Sequence, residues 1–342
     1  MNEITTAHSS TPLDRIGYGS CGSVWSDSSR HPDIDQCTTP SIVLKRADGL
    51  PDRSIENEAE VHKHILSKAS NASFNIPNHI AFLQQTAPTW STILPRLPAD
   101  ARPCQALISE RILPVPRATR RFLVERFWNG PTNMIDDIVN DKRNEHCLIR
   151  PYLGRRRAAT NGSSPPRRNS VTPISLRNYP LYIDQIEALG LPAHDYASAM
   201  ADGLAFLLWV AEVDACDVEF VLARPRPGGD DASNTFKSGP LGELALWILD
   251  FDCCRKLPLT QEGLTIAAGR FWRNDPFYPN PDVRCEADAA LWDVFKHRFL
   301  KTSAEILAGR DQITRTLPGK LIARIVETVG VYSKEGPSTV LG

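Results

Sequence analysis

The chain has 342 residues, 42% hydrophobic and 23% charged, with 39 basic and 40 acidic side chains and a net charge of −1. That balance is globular, and it excludes a global basic field that would recruit nucleic acid or a membrane surface. The eight cysteines include no C-x-x-C pair, so zinc-ligand spacing is missing.

Residues 1–12 read as a frayed tail; "MNEITTAHSS" has neither the basic start nor the apolar centre of a signal peptide. "LDRIGYGSCGSVWS" reads as strand, glycine turn, strand, and "DSSRHPDIDQCTTP" as a polar loop. "SIVLKRA" is a short β-branched strand from Ser41. "DRSIENEAEVHKHILSKA" is a helix, with Ile55, Ala59, His62 and Ile65 or Leu66 at three- and four-residue spacing. "CQALISERIL" and "RRFLVERFW" read as further strands. "GRRRAATNGSSPPRRNS", residues 154–170, is a basic Ser/Pro-rich insertion, either solvated surface or an anionic docking patch.

Helical patterning then dominates. "HDYASAMADGLAFLLWVAEV" sets Ala197, Met200, Ala201, Leu204 and Leu208 on one stripe; its apolar part is too short to span a bilayer. "EFVLA" and "ELALWILDF" are strands, "EADAALWDVFKHRFL" is a helix, and a last helix is expected from about Lys320, after Pro318-Gly319. The expected fold is α+β and two-lobed: a tail at 1–12, a small antiparallel β lobe at 13–112, and a helical lobe at 113–342. With reduced thiols as small buried groups, the expected location is cytoplasmic.

Five stretches carry chemistry. Gly17, Gly19, Gly22 and Val24 form G-x-G-x-x-G-x-V leading into a strand, which fits either a phosphate-covering hairpin or a plain glycine turn. Lys45 lies on the next strand, as a phosphate-holding cation or a surface lysine. Glu58 sits beside the apolar stripe of the helix, placed to pair with Lys45; Glu56 and Glu60 read as solvated. In "EVDACDVEFVLA", Asp214 stands five residues before Glu219 and an apolar run, the spacing of a catalytic-loop aspartate and a metal ligand, with Glu in place of the usual Asn. "LWILDFDCCR" ends a strand in Asp250-Phe251-Asp252, where Asp250 is the candidate metal ligand. Taken singly, each also reads as a turn or surface residue; together they come in the order glycine hairpin, strand lysine, acidic helix, aspartate loop, strand-end aspartate.

In that order the residues resemble the protein kinase-like superfamily, nearer its aminoglycoside and choline phosphotransferase branch than protein kinases. More narrowly, "LISERILPVP", "LIRPYLGRRR", "LRNYPLYIDQIEALGL", "YASAMADGLAFLLW", "DACDVEFVLA", "WILDFDCCR" and "NDPFYPNP" resemble a fungal domain of unknown function often labelled "zinc finger protein". The resemblance implies ATP and Mg²⁺ as cofactors. It implies Lys45 and the glycines on the phosphates, Glu110 and Ile112 as backbone contacts to the base, Asp250 and Glu219 on the metal, and Asp214 at the substrate hydroxyl. No A-P-E segment follows the strand-end aspartate, so a small-molecule substrate is expected rather than a protein. Asp217, Asp252, Trp272, Arg273 and Tyr278 are pocket candidates, together with Arg270, Asp275 and Phe277; the last stretch reads equally as core and surface packing. Three functions follow: a phosphotransferase acting on a small-molecule hydroxyl, a pseudokinase with a protein partner, and a kinase fold reused for tailoring or cyclisation in a fungal biosynthetic pathway.

Overall fold

The computed structural model describes residues 11–27, 41–69, 73–157, 174–227, 235–274 and 276–331. Most of the expected tail, the polar loop from residue 28, most of the basic insertion and Asp275 lie outside those residues, as does the chain beyond 331.

The fold is α+β. The first half supplies β1 (Leu13–Tyr18), β2 (Ser23–Asp27), β3 (Ile42–Arg46), α1 (Ile55–Lys68), β4 (His79–Leu83), α2 (Trp90–Ile93) and β5 (Ala106–Glu110). These strands form one antiparallel sheet in the order β1-β2-β3-β5-β4. Strand period fixes what each face does. On β3, Ile42 and Leu44 point into a small core with Trp25, Leu83 and Ile108, while Val43 and Lys45 face a cleft. Helix α1 starts where Ser54 caps it, its hydroxyl accepting from the Asn57 amide, and buries Ile55, Glu58, Ala59, His62 and Ile65.

The chain continues through α3 (Arg117–Phe127), α4 (Ile135–Asn140), β6 (Ile149–Tyr152), β7 (Tyr179–Tyr182), α5 (Ile183–Ala188), α6 (Ala193–Trp209), β8 (Glu219–Ala223), β9 (Thr235–Lys237), β10 (Glu243–Leu249), α7 (Gln261–Arg273), α8 (Glu286–Ile306) and α9 (Gln312–Glu327). A second sheet runs β7-β6-β8-β10-β9, with only the β6–β7 pair parallel. Helix α6 is buried almost all round, between this sheet and α8. Gly203 permits that approach: a Cβ there would meet Ile248 Cδ1 at 2.8 Å.

Three sequence expectations change. "RRFLVERFW" is helix α3, not a strand: Thr119, Arg120, Leu123 and Val124 are buried at i, i+1, i+4 and i+5, a helical face that the β-branched and aromatic content disguised. The last helix begins at Gln312, eight residues before Lys320, and runs through Pro318-Gly319; Asp311 caps it and Leu317, Leu321 and Ile325 bury its inner face. Helix α7, after the strand-end aspartate, was not expected at all.

The two sheets are joined on the α1 side. Asn75, just past α1, donates its amide to Leu246 O and accepts from the Ile248 amide, docking the first sheet's connection onto β10. Antiparallel register sets Glu219 opposite Leu249, so Asp250 leaves β10 beside the start of β8.

Candidate functional site

Between the sheets lies a cleft of about 550 Å³. The glycine hairpin, Val24, Lys45, Glu58, Glu110, Ile112, Asp217, Glu219, Asp250 and Asp252 all line it.

Lys45 is the centre. Its Nζ donates to Asp250 Oδ1 at 2.7 Å and to Glu58, 2.7 Å from Oε2 and 2.8 Å from Oε1. Strand β3, helix α1 and the end of β10 thus meet on one ammonium. Asp250 adopts a left-handed backbone, φ 68°, which a non-glycine residue takes only when its surroundings hold it there. Burial works against the Lys45 charge, but Asp250 and Glu58 outweigh it and hold its pKa well above the ordinary value. The two acids share that one cation unequally. Burial pushes Glu58 up to about 7 despite Lys45. Burial would also raise Asp250, yet Lys45 wins and Asp250 stays below the usual carboxylate range. The neighbours explain the split: Arg150 and Arg53 also lower Asp250, whereas Asp250 and Asp252 raise Glu58.

The glycine hairpin closes on itself. Gly19 and Gly22 exchange both main-chain hydrogen bonds, at 2.9 and 3.1 Å. Gly22 has φ +146°, and a Cβ there would stand 1.9 Å from Arg46 O, so this glycine serves packing onto β3. Gly19 has nothing within 4 Å of a Cβ position and is the one that leaves room.

Arginines complete the site, and sequence reasoning missed two of them. Arg53, immediately before the Ser54 cap, reaches across the cleft to Asp217 and Asp252, each at 3.0 Å, and contacts Cys253 Sγ. Arg150 on β6 places one nitrogen 2.5 Å from both oxygens of Glu219. Even so, burial pushes Glu219 up to about 7. Nothing local in the sequence marks either arginine, because each finds its acid only through tertiary contact.

Asp214 is not in the cleft wall. It is 2% exposed, and its carboxylate accepts from the amides of Arg255 and Cys216 and from Arg270 Nε. It ties the 214–219 loop to the segment after β10. Ala215 and Asp217 have left-handed backbones, and the turn brings Asp217 to the cleft instead. Asn274, also missed, fixes that turn: Oδ1 accepts from the Asp217 amide and Nδ2 donates to Ala215 O and Val218 O.

Glu110 lines the cleft, but Arg226 and the Asn78 amide occupy its carboxylate and its own amide donates to Asn78 O. Trp272 and Tyr278 lie in the core, not the pocket: Trp272 donates to Thr328 Oγ1, and Tyr278 stacks on Phe271. Phe277 is core as well. Arg273 lies 4.0 Å from Asp217.

The donor set bears on metals. Carboxylate oxygens suit a hard divalent cation. Asp250, ionised and partly exposed, fits that role; both Glu219 oxygens are already held by Arg150. Among the described residues, the one cluster with metal-ligand spacing is Asp217, Asp252 and Cys253, and Arg53 reaches all three.

Residues 246–311 match a family model described as "Zinc finger protein", a domain of unknown function. That segment holds Cys253, Cys254, Cys285 and His297, and among the described residues these do not gather into a zinc-ligand set. No curated protein matches the chain. No described helix is long and apolar enough to cross a membrane.

Proposed function

We propose that the chain is a two-lobed, protein kinase-like phosphotransferase that uses Mg-ATP to phosphorylate a hydroxyl of a small molecule. The observation that carries this is the joint hold of Glu58 and Asp250 on Lys45, beneath a glycine hairpin and inside one cleft. Phosphoryl transfer asks a protein for positioned charge rather than covalent chemistry. The nucleotide and its magnesium, when bound, supply the phosphoryl group and its counter-charge.

The chain's residues do the positioning. Lys45 holds phosphate oxygens and is itself held at two points. Asp250 is the metal ligand. The hairpin around Gly19 covers the phosphates and excludes water. Asp217 takes the substrate hydroxyl proton, because it faces the cleft where Asp214 does not; Asp214 braces the loop that carries it.

A thermal-shift titration tests the binding step: Mg-ATP should stabilise the wild type and not Lys45→Met. An ADP-release screen over candidate hydroxyl compounds, with the phosphorylated acceptor read by mass, tests the chemistry, with Asp217→Asn abolishing turnover. No response to Mg-ATP, or turnover of a small molecule without nucleotide, overturns the reading.

A binding module without turnover is the second reading. It is favoured by the arginine already seated on Glu219 and by the burial of Asp214. A phosphorylated product in the screen rejects it.

A further inference from the structure

Most cations on the cleft wall have matching acids: Lys45 with Glu58 and Asp250, Arg53 with Asp217 and Asp252, Arg150 with Glu219. Arg177 does not. It lines the same cleft, yet the one hydrogen bond of its side chain goes to the main-chain carbonyl of Tyr18 in the glycine hairpin, and no described carboxylate pairs with it. The charges acting on it are cationic. Partial desolvation first, then Arg15 on β1 and Arg150 on β6, hold its pKa below the ordinary arginine value. Arg15 belongs to the first sheet and Arg150, which is paired with Glu219, to the second. Asn178, beside it, has a left-handed backbone and also lines the cleft.

A cation kept among cations, with one donor used and others left on a planar fork, is an oxyanion receptor by chemistry. The rest of the cleft points the same way. Without a metal ion, the carboxylates already seated on Lys45, Arg53 and Arg150 compete with an acidic ligand there, and Arg177 has no such competitor among the described residues.

We propose that Arg177 forms an oxyanion subsite that takes a carboxylate or phosphate group carried by the acceptor, so that the substrate is an acidic small molecule. This rests on the phosphotransferase reading, which makes the cleft's second ligand an acceptor.

Inorganic phosphate is the probe, at constant ionic strength against sodium chloride, with neither nucleotide nor magnesium present. At tenfold over its half-saturating concentration, phosphate should raise the wild-type melting temperature by about 2 °C. Arg177→Gln should lose that shift, the residue being exposed. Lys45→Met should keep the shift relative to its own baseline. With Mg-ATP saturating, the phosphate shift should add to the nucleotide shift. An undiminished shift in Arg177→Gln, loss of the shift in Lys45→Met, or competition between phosphate and Mg-ATP would each overturn the assignment. A phosphate shift that depends on Arg177 beside no response to Mg-ATP at all retains the subsite and rejects the nucleotide reading.

Discussion

Glu58→Gln should stabilise the ligand-free protein at pH 8 while weakening Mg-nucleotide binding. Lys45 has one charge for two carboxylates, and Glu58, the less hydrated, is the one left under-compensated. Its carboxyl moves from an ordinary 4.5 to about 7. At 1.36 kcal/mol per pKa unit, its ionised form is therefore about 3 kcal/mol more costly in the fold than in the unfolded chain. The sign follows from proton binding. Between pH 4.5 and 7 the folded chain binds the Glu58 proton more tightly than the unfolded one, so stability falls as pH rises through that window and is flat above it. Glutamine is neutral at every pH and keeps the shape. It forfeits a charge-assisted hydrogen bond worth about 1.5–3 kcal/mol. The net effect at pH 8 is a gain of about 0–2 kcal/mol, and relative to wild type the variant should improve by about 2–3 kcal/mol between pH 5 and pH 8. Urea unfolding at both pH values, followed by tryptophan fluorescence and far-ultraviolet circular dichroism, reads this directly. A midpoint difference that is the same at pH 5 and pH 8 would refute the reasoning, as would a loss above 2 kcal/mol at pH 8. Either result would mean that Lys45 fully compensates Glu58.

Arg53→Leu leaves Asp252, 3% exposed, without its cation, and should cost about 3–5 kcal/mol in urea unfolding; a cost under 1 kcal/mol would show that Asp252 needs no partner. Gly22→Ala should lower the melting temperature sharply, since its Cβ has no room and its φ is +146°, whereas Gly19→Ala should leave the fold intact; equal effects would contradict the hairpin geometry. His62, buried against Phe251 and bonded through Nε2 to Pro77 O, is held down to about 4, chiefly by burial. Its contribution is present above pH 6.5 and lost as pH falls through 4, so relative to His62→Gln the wild type should lose up to about 3 kcal/mol over that window. A difference that does not vary with pH would show that His62 binds its proton equally well in the folded and unfolded chains.

The parts of the site that the sequence reveals are those with local causes. Alternation on "SIVLKRA" sets Lys45 opposite Leu44, hence on the cleft face, and the acid that meets it sits on the buried stripe of α1 because helical spacing puts it there. Asp250 follows an unbroken apolar strand and marks where it ends. Local cause fails for Asp214 and Asp217. Two residues separate them, and the left-handed turns at Ala215 and Asp217 decide which carboxylate faces the cleft; those turns are imposed by Asn274, more than fifty residues away. Trp272 and Tyr278 look like pocket aromatics in sequence because aromatic residues close to arginines suit both a ligand wall and a core. Helix α7 decides for the core by turning Phe271 and Trp272 inward.

Glu219 is where sequence and structure argue hardest. As a lone residue it adds a negative charge beside Asp250, which speaks against a phosphate ligand. Arg150 changes the sum: Glu219 and Arg150 together are neutral, as the amide expected at that position would be. The pair is not equivalent to an amide, however. Burial raises Glu219 to about 7 even with Arg150 in contact, so near neutral pH the carboxyl holds its proton part of the time and Arg150 then carries uncompensated charge. Positive charge released there lies on the same wall as Arg177. A cleft crowded with acids can thus accept an anion at the cost of one ion pair, because protonation of Glu219 leaves Arg150 as the cation.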